Sequence, residues 1–257
     1  MTGQPRLLDL FSCAGGAGKG YADAGFEVVG VDIDPQPNYP FEFHQGDALK
    51  YLLEHHHEFD AFHASPPCQA FTLAQRIRGN THPDFITATR AAFQLIGKPW
   101  VIENVPGAPL LDAVTYCGAA FPGLRVYRHR LFESNLSLEP PTHLAHDAPV
   151  TKMGRRLQPG HYMHVVGNFT GAQDARDAMG IQWMTRDELR ESIPPAYTQH
   201  VGQQLLARMS TPHMIARELA LLSSPSTNAT SIASRTAVVQ PVLVGAGQDG
   251  GKLYFDI

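Results

Sequence analysis

A cysteine directly follows two prolines in Ser65-Pro66-Pro67-Cys68-Gln69, a few residues after an apolar run. Each proline fixes its own φ and favours extended backbone in the residue before it, so Cys68 is predicted to lie in a rigid loop at the end of a strand. A thiolate that attacks an electrophile must meet it at a fixed distance and angle, and a rigid loop provides this. Loop cysteines without a chemical role are common, so this segment alone leaves both interpretations open.

A glycine-rich turn follows the first apolar strand, in Leu7-Leu8-Asp9-Leu10-Phe11-Ser12-Cys13-Ala14-Gly15-Gly16-Ala17-Gly18-Lys19-Gly20-Tyr21. A helix and a second apolar strand come next, and that strand ends at Asp32. This order is typical of a nucleotide site in a Rossmann-like sheet, in which the acid binds a ribose diol. The glycine spacing matches neither the dinucleotide fingerprint nor a P-loop. A glycine-rich helix start without a ligand is the alternative. Asp47, after a third strand region, could accept from an exocyclic amine such as that of adenine.

Two further segments carry charged residues that could take part in chemistry. The apolar strand in Trp100-Val101-Ile102-Glu103-Asn104-Val105-Pro106-Gly107 delivers Glu103 to the sheet edge where Cys68 is expected, and ligands bind at that edge in open α/β sheets. In Arg128-His129-Arg130, alternation predicts that both arginines lie on one face of an extended segment. A solvated acid and a solvated basic strand are the alternatives.

These four segments, in this order, resemble the DNA cytosine-5 methyltransferases over most of residues 5–210. The matching motifs are Asp9-Leu10-Phe11 with Gly15-Gly16 (cofactor loop), Asp32 (ribose acid), Asp47 (acid near adenine), Pro67-Cys68-Gln69 (nucleophile), Glu103-Asn104-Val105, the arginine pair Arg128 and Arg130, and Ile193 to Gly202 (closing motif beside the cofactor). The pair of Pro-Cys-Gln and Glu-Asn-Val at this separation is a specific signal.

The resemblance implies an α/β fold, with a Rossmann-like S-adenosylmethionine-dependent methyltransferase sheet and a small target-recognition lobe. It implies S-adenosylmethionine as the cofactor and double-stranded DNA as the partner of a monomeric enzyme. The expected cofactor-binding residues are Phe11, Ser12, Cys13, Gly15, Gly16, Asp32, Ile33, Asp47, Ala48, Pro67 and Gln203. The expected DNA-binding residues are Gln69, Gln75, Arg76, Arg78, Lys152, Arg155 and Arg156.

The chemistry of such an enzyme accounts for the residue types. Cytosine C5 becomes nucleophilic only after a thiolate, here Cys68, adds to C6. Glu103, kept neutral by a pKa that burial raises, would donate to N3, and Arg130, helped by Arg128, would stabilise charge at O2. The target base must leave the duplex stack, and residues 70–83 are expected to form a loop that closes over the DNA.

Three positions depart from the family pattern. Cys13 stands in place of the first loop glycine and can fit if its φ is negative. Val126 replaces the glutamine expected before the arginine pair, and Gln203 replaces an asparagine beside the methyl-donor carbon. The alternatives are therefore a tRNA cytosine-5 methyltransferase, a transferase that uses a modified S-adenosylmethionine donor, and an inactive DNA-binding relative.

Composition limits the class of protein. The chain has 257 residues and a formal net charge of −4, so DNA affinity must come from a local basic patch. Three unpatterned cysteines favour a reducing cytoplasm, which the resemblance implies is that of a bacterial or phage-infected cell, and no apolar run is long enough to span a bilayer. His44, His55 to Glu58 and His63 match no ligand spacing, so no metal is expected.

The expected organisation has four parts. Residues 1–134 form the cofactor-binding and catalytic core, 135–180 a small target-recognition region, 181–222 helices that return to the core, and 223–257 a linker and hairpin. A helix is predicted from Asp84 to Leu95, and another begins after Thr185, whose capping partner is Glu188. Residues 161–166 are predicted to include a strand, and Val201 to Leu222 to be helical.

Overall fold

The computed structural model describes residues 3–67 and 84–210. The strands are β1 (Arg6–Leu10), β2 (Glu27–Asp32), β3 (Glu42–Gln45), β4 (Ala61–Ala64), β5 (Trp100–Asn104), β6 (Val114–Tyr116), β7 (Arg130–Ser134), β8 (Val150–Thr151) and β9 (Tyr162–Met163). The helices are α1 (Gly16–Ala24), α2 (Ala48–His55), α3 (Phe85–Ile96), α4 (Ala172–Met179), α5 (Arg186–Glu191) and α6 (Pro195–Met209).

Seven strands form one sheet in the order β3-β2-β1-β4-β5-β7-β6. The first five in that order pair in parallel, and β7 runs antiparallel to both of its neighbours. The carboxyl ends of β1, β2, β4 and β5 therefore meet at one edge. The predicted cofactor loop, ribose acid, proline loop and Glu103 all follow or end these strands, so the topology brings the predicted segments to a common edge.

The central strands β1, β2, β4 and β5 are buried on both faces, which explains why they are largely apolar. On β1, Leu7 packs into a cluster with α1 and α6, while Leu8 and Leu10 pack into a second cluster with α2 and α3. Helix α3 begins after its cap Asp84, whose side chain accepts from Thr87 N. The predicted helix over 84–95 is thus confirmed.

Helix α6 lies against α1 at unusually short range. A Cβ on Gly20 would lie 2.1 Å from the Pro195 carbonyl oxygen and 2.1 Å from Thr198 Oγ1. Thr198 Oγ1 also donates to the Ala17 carbonyl at 2.8 Å. The part of the glycine run that lies within α1 therefore allows two helices to approach each other, a role that the glycine spacing did not predict.

A third apolar cluster lies under α4 and α5 and includes Met163, Phe169 and Met184, together with Ala14 from the cofactor loop and Val126. The predicted strand in 161–166 is present as the short β9. The capping box of Thr185 and Glu188 is confirmed. Helix α6 begins at Pro195, six residues earlier than predicted, because proline is well accepted at the first helical position.

The predicted helix beyond 210, the linker and the hairpin lie outside the described residues, and the domain boundaries remain predictions. Within 3–67 and 84–210, no helix is long and apolar enough to cross a membrane.

Candidate active site

The proline loop is held in place by the asparagine of the Glu-Asn-Val motif. Asn104, at the end of β5, is buried, and its Nδ2 donates to the Pro66 carbonyl oxygen at 2.9 Å. The Ser65 amide donates to the Leu10 carbonyl at 3.1 Å. Two neighbouring strands thus fix the backbone that leads to position 68. Cys68 and the predicted DNA contacts Gln69, Gln75, Arg76 and Arg78 lie outside the described residues, so their roles remain predictions.

Glu103 is a buried carboxyl group close enough to Arg130 and Arg128 for both charges to affect its pKa. It is the penultimate residue of β5 with 5% of its surface exposed, and burial raises its pKa above the ordinary value. Arg130 counteracts part of this rise, since its Nε lies 3.1 Å from Glu103 Oε1. A hydrogen bond from Ser65 and the charge of Arg128 act in the same direction as Arg130. The site thus contains a carboxyl group that retains its proton to higher pH than an exposed one.

A buried hydrogen-bonded chain leads from Tyr21 to Glu103. The Tyr21 hydroxyl lies 3.0 Å from His63 Nδ1, and His63 Nε2 lies 3.0 Å from Ser65 Oγ, which in turn bonds to Glu103. Burial lowers the pKa of His63 to about 3, so its ring is neutral and carries a single N–H. A neutral ring can donate to one hydroxyl and accept from the other. The sequence analysis considered His63 only as a metal ligand, and a lone histidine in an apolar strand gave no sign of this role.

Arg128 does not follow the predicted alternation. Its φ is +36°, so the chain is not extended there, and β7 begins only at Arg130. The Arg128 guanidinium donates to the carbonyl oxygens of Val165, at 2.9 Å, and Arg190, at 2.7 Å. The prediction that both arginines lie on one face of an extended segment is therefore wrong. Arg128 ties the α5 region to the core and influences Glu103 through its charge.

The cofactor loop is strongly curved, and the acid at the end of β2 orders it. Phe11, Cys13 and Gly15 have φ values of +56°, +43° and +81°. The Cys13 amide donates to Asp32 Oδ2 at 2.9 Å, while Asp34 N donates to Oδ1 at 3.0 Å. The expectation that Cys13 fits through a negative φ is wrong. The residue keeps the left-handed conformation that suits a glycine.

A narrow cavity lies beside this loop. It is lined by Asp9, Phe11, Ser12, Cys13, Gly16, Ala17, Ser65, Glu103, Glu191, Ser192 and Ile193. Within the described part of the chain, Asp9 Oδ1 and Ser12 Oγ are buried without a hydrogen-bond partner, and Glu103 Oε1 faces Arg130 without an aligned hydrogen bond. Buried polar atoms are normally paired, so these atoms suit a polar ligand. Burial raises the pKa of Asp9 well above its ordinary value, although the Tyr39 hydroxyl donates to its Oδ2.

The other predicted cofactor residues lie in different settings. Ile33 is 65% exposed beside Asp32, Ala48 is buried, and Pro67 is exposed. Asp47 caps α2 by accepting from Lys50 N at 2.9 Å, a role that the sequence analysis did not anticipate.

The structure does not bring Gln203 to the cavity. Gln203 is an exposed residue of α6, and the adjacent Gly202 packs against Ala24 at the carboxyl end of α1. The cavity lies at the opposite end of α1, beside Gly16, and a helix of this length extends about 12 Å. Glu191, Ser192 and Ile193 line the cavity instead. Of these three residues, only Ile193 belongs to the closing motif that the sequence predicted beside the cofactor.

The basic residues Lys152, Arg155 and Arg156 are exposed in the connection between β8 and β9. A turn brings Arg155 N within 3.2 Å of the Lys152 carbonyl oxygen. This exposure suits contact with a polyanion, and a solvated turn would look the same.

Part of the sequence is similar to type II methyltransferases. M.FnuDI of Fusobacterium nucleatum is 31% identical over 112 residues, which are 40% of this chain and 33% of that protein. M.AquIA of Picosynechococcus sp. is 32% identical over 128 residues, which are 40% of this chain and 50% of that protein. The matches thus span only a third to a half of these relatives. No family model matches the sequence.

Solved structures share the fold over most of the chain. A putative DNA modification methyltransferase encoded within an E. coli prophage has a TM-score of 0.56 at 14% identity, and the S. pombe Dnmt2 methyltransferase has 0.53 at 13%. Each alignment covers 81% of this chain and the whole of the other. Methyltransferase relatives imply S-adenosylmethionine as the methyl donor. The predicted Rossmann-like methyltransferase fold is therefore confirmed, and the matches to type II methyltransferases are consistent with the resemblance to the cytosine-5 family.

Proposed function

We propose that the protein transfers a methyl group from S-adenosylmethionine to C5 of cytosine in double-stranded DNA. The observation that carries this proposal is the buried pair of Glu103 and Arg130, beside the Asn104-anchored proline loop that leads to Cys68. A carboxyl group whose pKa burial raises and a guanidinium at one sheet edge are the groups that an attack on a pyrimidine ring requires. The sequence similarity to type II methyltransferases agrees with DNA as the polymer.

The cofactor would bind at the carboxyl ends of β1 and β2. Asp32 would accept from a ribose hydroxyl, Ile33 would cover the adenine with its exposed side chain, and the unpartnered Ser12 Oγ and Asp9 Oδ1 would bond to the polar methionine end. Bound there, S-adenosylmethionine supplies an electrophilic methyl group.

The residues of the chain would prepare cytosine to accept that group. The Cys68 thiolate adds to C6, and the electron pair of the C5–C6 double bond shifts towards C4 and N3. The ring becomes an enamine whose C5 is nucleophilic. Glu103 donates a proton to N3, and Arg130 stabilises the charge that develops at O2. C5 then forms a bond to the methyl carbon, the bond between that carbon and the cofactor sulfur breaks, and S-adenosylhomocysteine would leave. A base removes the C5 proton, N3 returns its proton to Glu103, the C6–S bond breaks, and the Cys68 thiolate is released.

Nucleoside mass spectrometry tests this proposal. The full chain is incubated with S-adenosylmethionine and with either double-stranded DNA or tRNA, and the modified nucleosides are identified. We expect 5-methylcytosine in DNA alone. N4-methylcytosine or N6-methyladenine would contradict the C5 chemistry, methylation confined to tRNA would contradict the polymer, and the absence of any product would favour an inactive relative.

The nucleophile is tested separately with Cys68→Ser. DNA that contains 5-fluorocytosine should form a covalent adduct with the parent protein, because the fluorine cannot leave as a proton does, and no adduct with Cys68→Ser. Turnover should fall by several orders of magnitude, while binding of S-adenosylmethionine remains. An adduct that persists in Cys68→Ser would place the nucleophile on another residue.

A further inference from the structure

Four side chains that serve no part of the proposed reaction converge on one point. The Sγ atom of Cys117 and one ring nitrogen each of His129, His143 and His146 all lie within 4.8 Å of one another. Cys117 Sγ is 3.3 Å from His146 Nε2, and the Nε2 atoms of His129 and His143 are 3.0 Å apart. We propose that these four residues bind a zinc ion in a closed, tetrahedral site.

The fold explains why distant residues meet there. Strands β6 and β7 are antiparallel, with Tyr116 opposite Arg130. Cys117 is the next residue after Tyr116 and His129 the residue before Arg130, so the same register places these two opposite each other. His143 and His146 are separated by two residues in the segment that follows β7. Cys117 is buried and the last two histidines are exposed, so the site lies at the surface with its thiol beneath it.

Two of the distances between ligand atoms are close to the edges of a zinc tetrahedron. With about 2.3 Å for Zn–S and about 2.0–2.1 Å for Zn–N, a tetrahedron has N···N edges of about 3.3 Å and S···N edges of about 3.6 Å. The observed pairs, at 3.0 and 3.3 Å, are close to these edges. A hydrogen bond accounts for each of these two pairs, but not for the gathering of all four ligand atoms within 4.8 Å of one another.

The donor set selects the ion. A thiolate with three imidazoles suits zinc, whereas carboxylate and carbonyl oxygens suit magnesium and calcium. Four protein ligands leave no coordination position for a substrate, so the site is structural. It is independent of the proposed methyl transfer.

The surroundings orient the ligands. The ring of His146 stacks on Tyr127, with centroids 3.7 Å apart and planes inclined by 13°. The Tyr127 hydroxyl donates to the Ala148 carbonyl oxygen at 2.7 Å, and the Gly118 amide donates to the Tyr127 carbonyl oxygen at 2.7 Å. One aromatic residue thus links the cysteine segment to the histidine segment. Such second-layer contacts commonly fix the ring orientation of metal-binding histidines.

The site has a structural consequence for the catalytic strand. His129 lies between the two arginines, and Arg130 Nη1 donates to the His129 carbonyl oxygen at 2.8 Å. Zinc would fasten the segment around 143–146 to the backbone that positions Arg130. No metal was predicted from the sequence, because the histidines that lie close together there match no ligand spacing. This cluster combines residues 117, 129, 143 and 146, which antiparallel pairing brings together.

Metal analysis of the full chain tests the site. The protein is purified with a tag that contains no histidine. The protein is dialysed against a zinc solution and then against zinc-free buffer. We expect elemental mass spectrometry to find about one zinc ion per chain. Cobalt in place of zinc should give the absorption of a tetrahedral cobalt–thiolate centre. A chelator that removes the metal should lower the melting temperature, and added zinc should restore it.

Two ligand variants and one matched control complete the experiment. Cys117→Ser and His143→Ala should each lower zinc content at least about tenfold, and Cys117→Ser should abolish the thiolate absorption. His143 is exposed, so its substitution tests the site even if Cys117→Ser fails to fold. His57→Ala removes an exposed histidine outside the cluster and should retain the metal. A folded parent that retains no zinc, or zinc retained equally in His143→Ala and the parent, would overturn the proposal.

Discussion

At the scale of single residues, Glu103 shows how burial and charge oppose each other. Burial raises its pKa, and Arg130, Ser65 and Arg128 each lower it, with burial dominant. The carboxyl group therefore keeps its proton at a pH where an exposed glutamate has lost it. This is the state that donation to cytosine N3 requires.

Glu103→Gln should reduce turnover by about 10²–10⁴, the usual contribution of a general acid. The amide still donates a hydrogen bond but transfers no proton, so DNA binding should be kept or strengthened. Single-turnover rate, DNA affinity and melting temperature are measured on one preparation. Loss of melting temperature and DNA binding together with activity would instead indicate that Glu103 serves only folding.

The Glu103 carboxyl group should also determine how the single-turnover rate falls at alkaline pH. Because the acid form is the active form, the single-turnover rate should fall as pH rises through the pKa of Glu103, which lies above the ordinary range. The opposite limb should come from Cys68, which acts as the thiolate. In Glu103→Gln the alkaline limb should disappear, and a profile identical to that of the parent would assign this limb to another group.

Cys13 holds a backbone conformation that costs free energy for any residue other than glycine. With φ at +43°, a β-branched side chain should be disfavoured by about 1–2 kcal/mol, whereas glycine relieves the strain. Cys13→Val should therefore lower the free energy of unfolding by about that amount relative to Cys13→Gly. Urea denaturation of the two variants measures the difference. Equal stability would show that the loop does not impose this conformation.

At the scale of elements, sequence patterns predicted those helices and strand ends that depend on residues close together in the chain. The sequence from Asp84 to Leu95 predicted α3, and the capping pair Thr185 and Glu188 predicted α5. Strand ends bearing Asp32 and Glu103 predicted a common edge, since parallel strands end together. The patterns failed where tertiary contacts decide, as in the turn at Arg128 that lets its guanidinium reach two distant carbonyl oxygens. They also missed the neutral His63 and the cluster around Cys117, because residues far apart in sequence create both.

The contact of α1 with α6 offers a test at this scale. A methyl group on Gly20 would lie 2.1 Å from the Pro195 carbonyl oxygen, which is backbone and cannot turn aside. Gly20→Ala should lower the free energy of unfolding by about 1–3 kcal/mol or more, despite the better helix propensity of alanine. Gly46→Ala is the matched control, because a Cβ there meets nothing within 4 Å. Similar melting temperatures for the two variants would show that α6 does not pack on α1 as described.

At the scale of the whole molecule, the cofactor loop and the α4–α5 region share one apolar cluster. Trp183 Nε1 donates to the Ala14 carbonyl oxygen at 2.8 Å, and Arg128 joins the carbonyls of Val165 and Arg190. Packing in the α4–α5 region, which extends from the predicted recognition region into the returning helices, therefore supports the loop proposed to hold the cofactor. Because these groups form one cluster, substitutions in either part should affect the stability of both.

The charge of the whole chain leads to the last prediction. With a formal net charge of −4, the protein has no overall field that attracts DNA, so binding must depend on local cations. Lys152, Arg155 and Arg156 are exposed together between β8 and β9. If each neutralises one phosphate, replacing all three by alanine should make the plot of log affinity against log salt shallower by up to about 2.7, at roughly 0.9 per contact.

This change should weaken binding equally for all DNA sequences, because phosphate contacts carry no base information. Turnover at saturating DNA should stay near that of the parent, since none of the three residues lines the described cavity. Lys50→Ala, which removes an exposed cation on α2, is the control and should leave the salt slope unchanged. Fluorescence anisotropy at a series of salt concentrations provides the slopes. A triple variant with the slope of the parent would exclude this turn from the DNA interface and assign the electrostatic contacts to other basic residues of the chain.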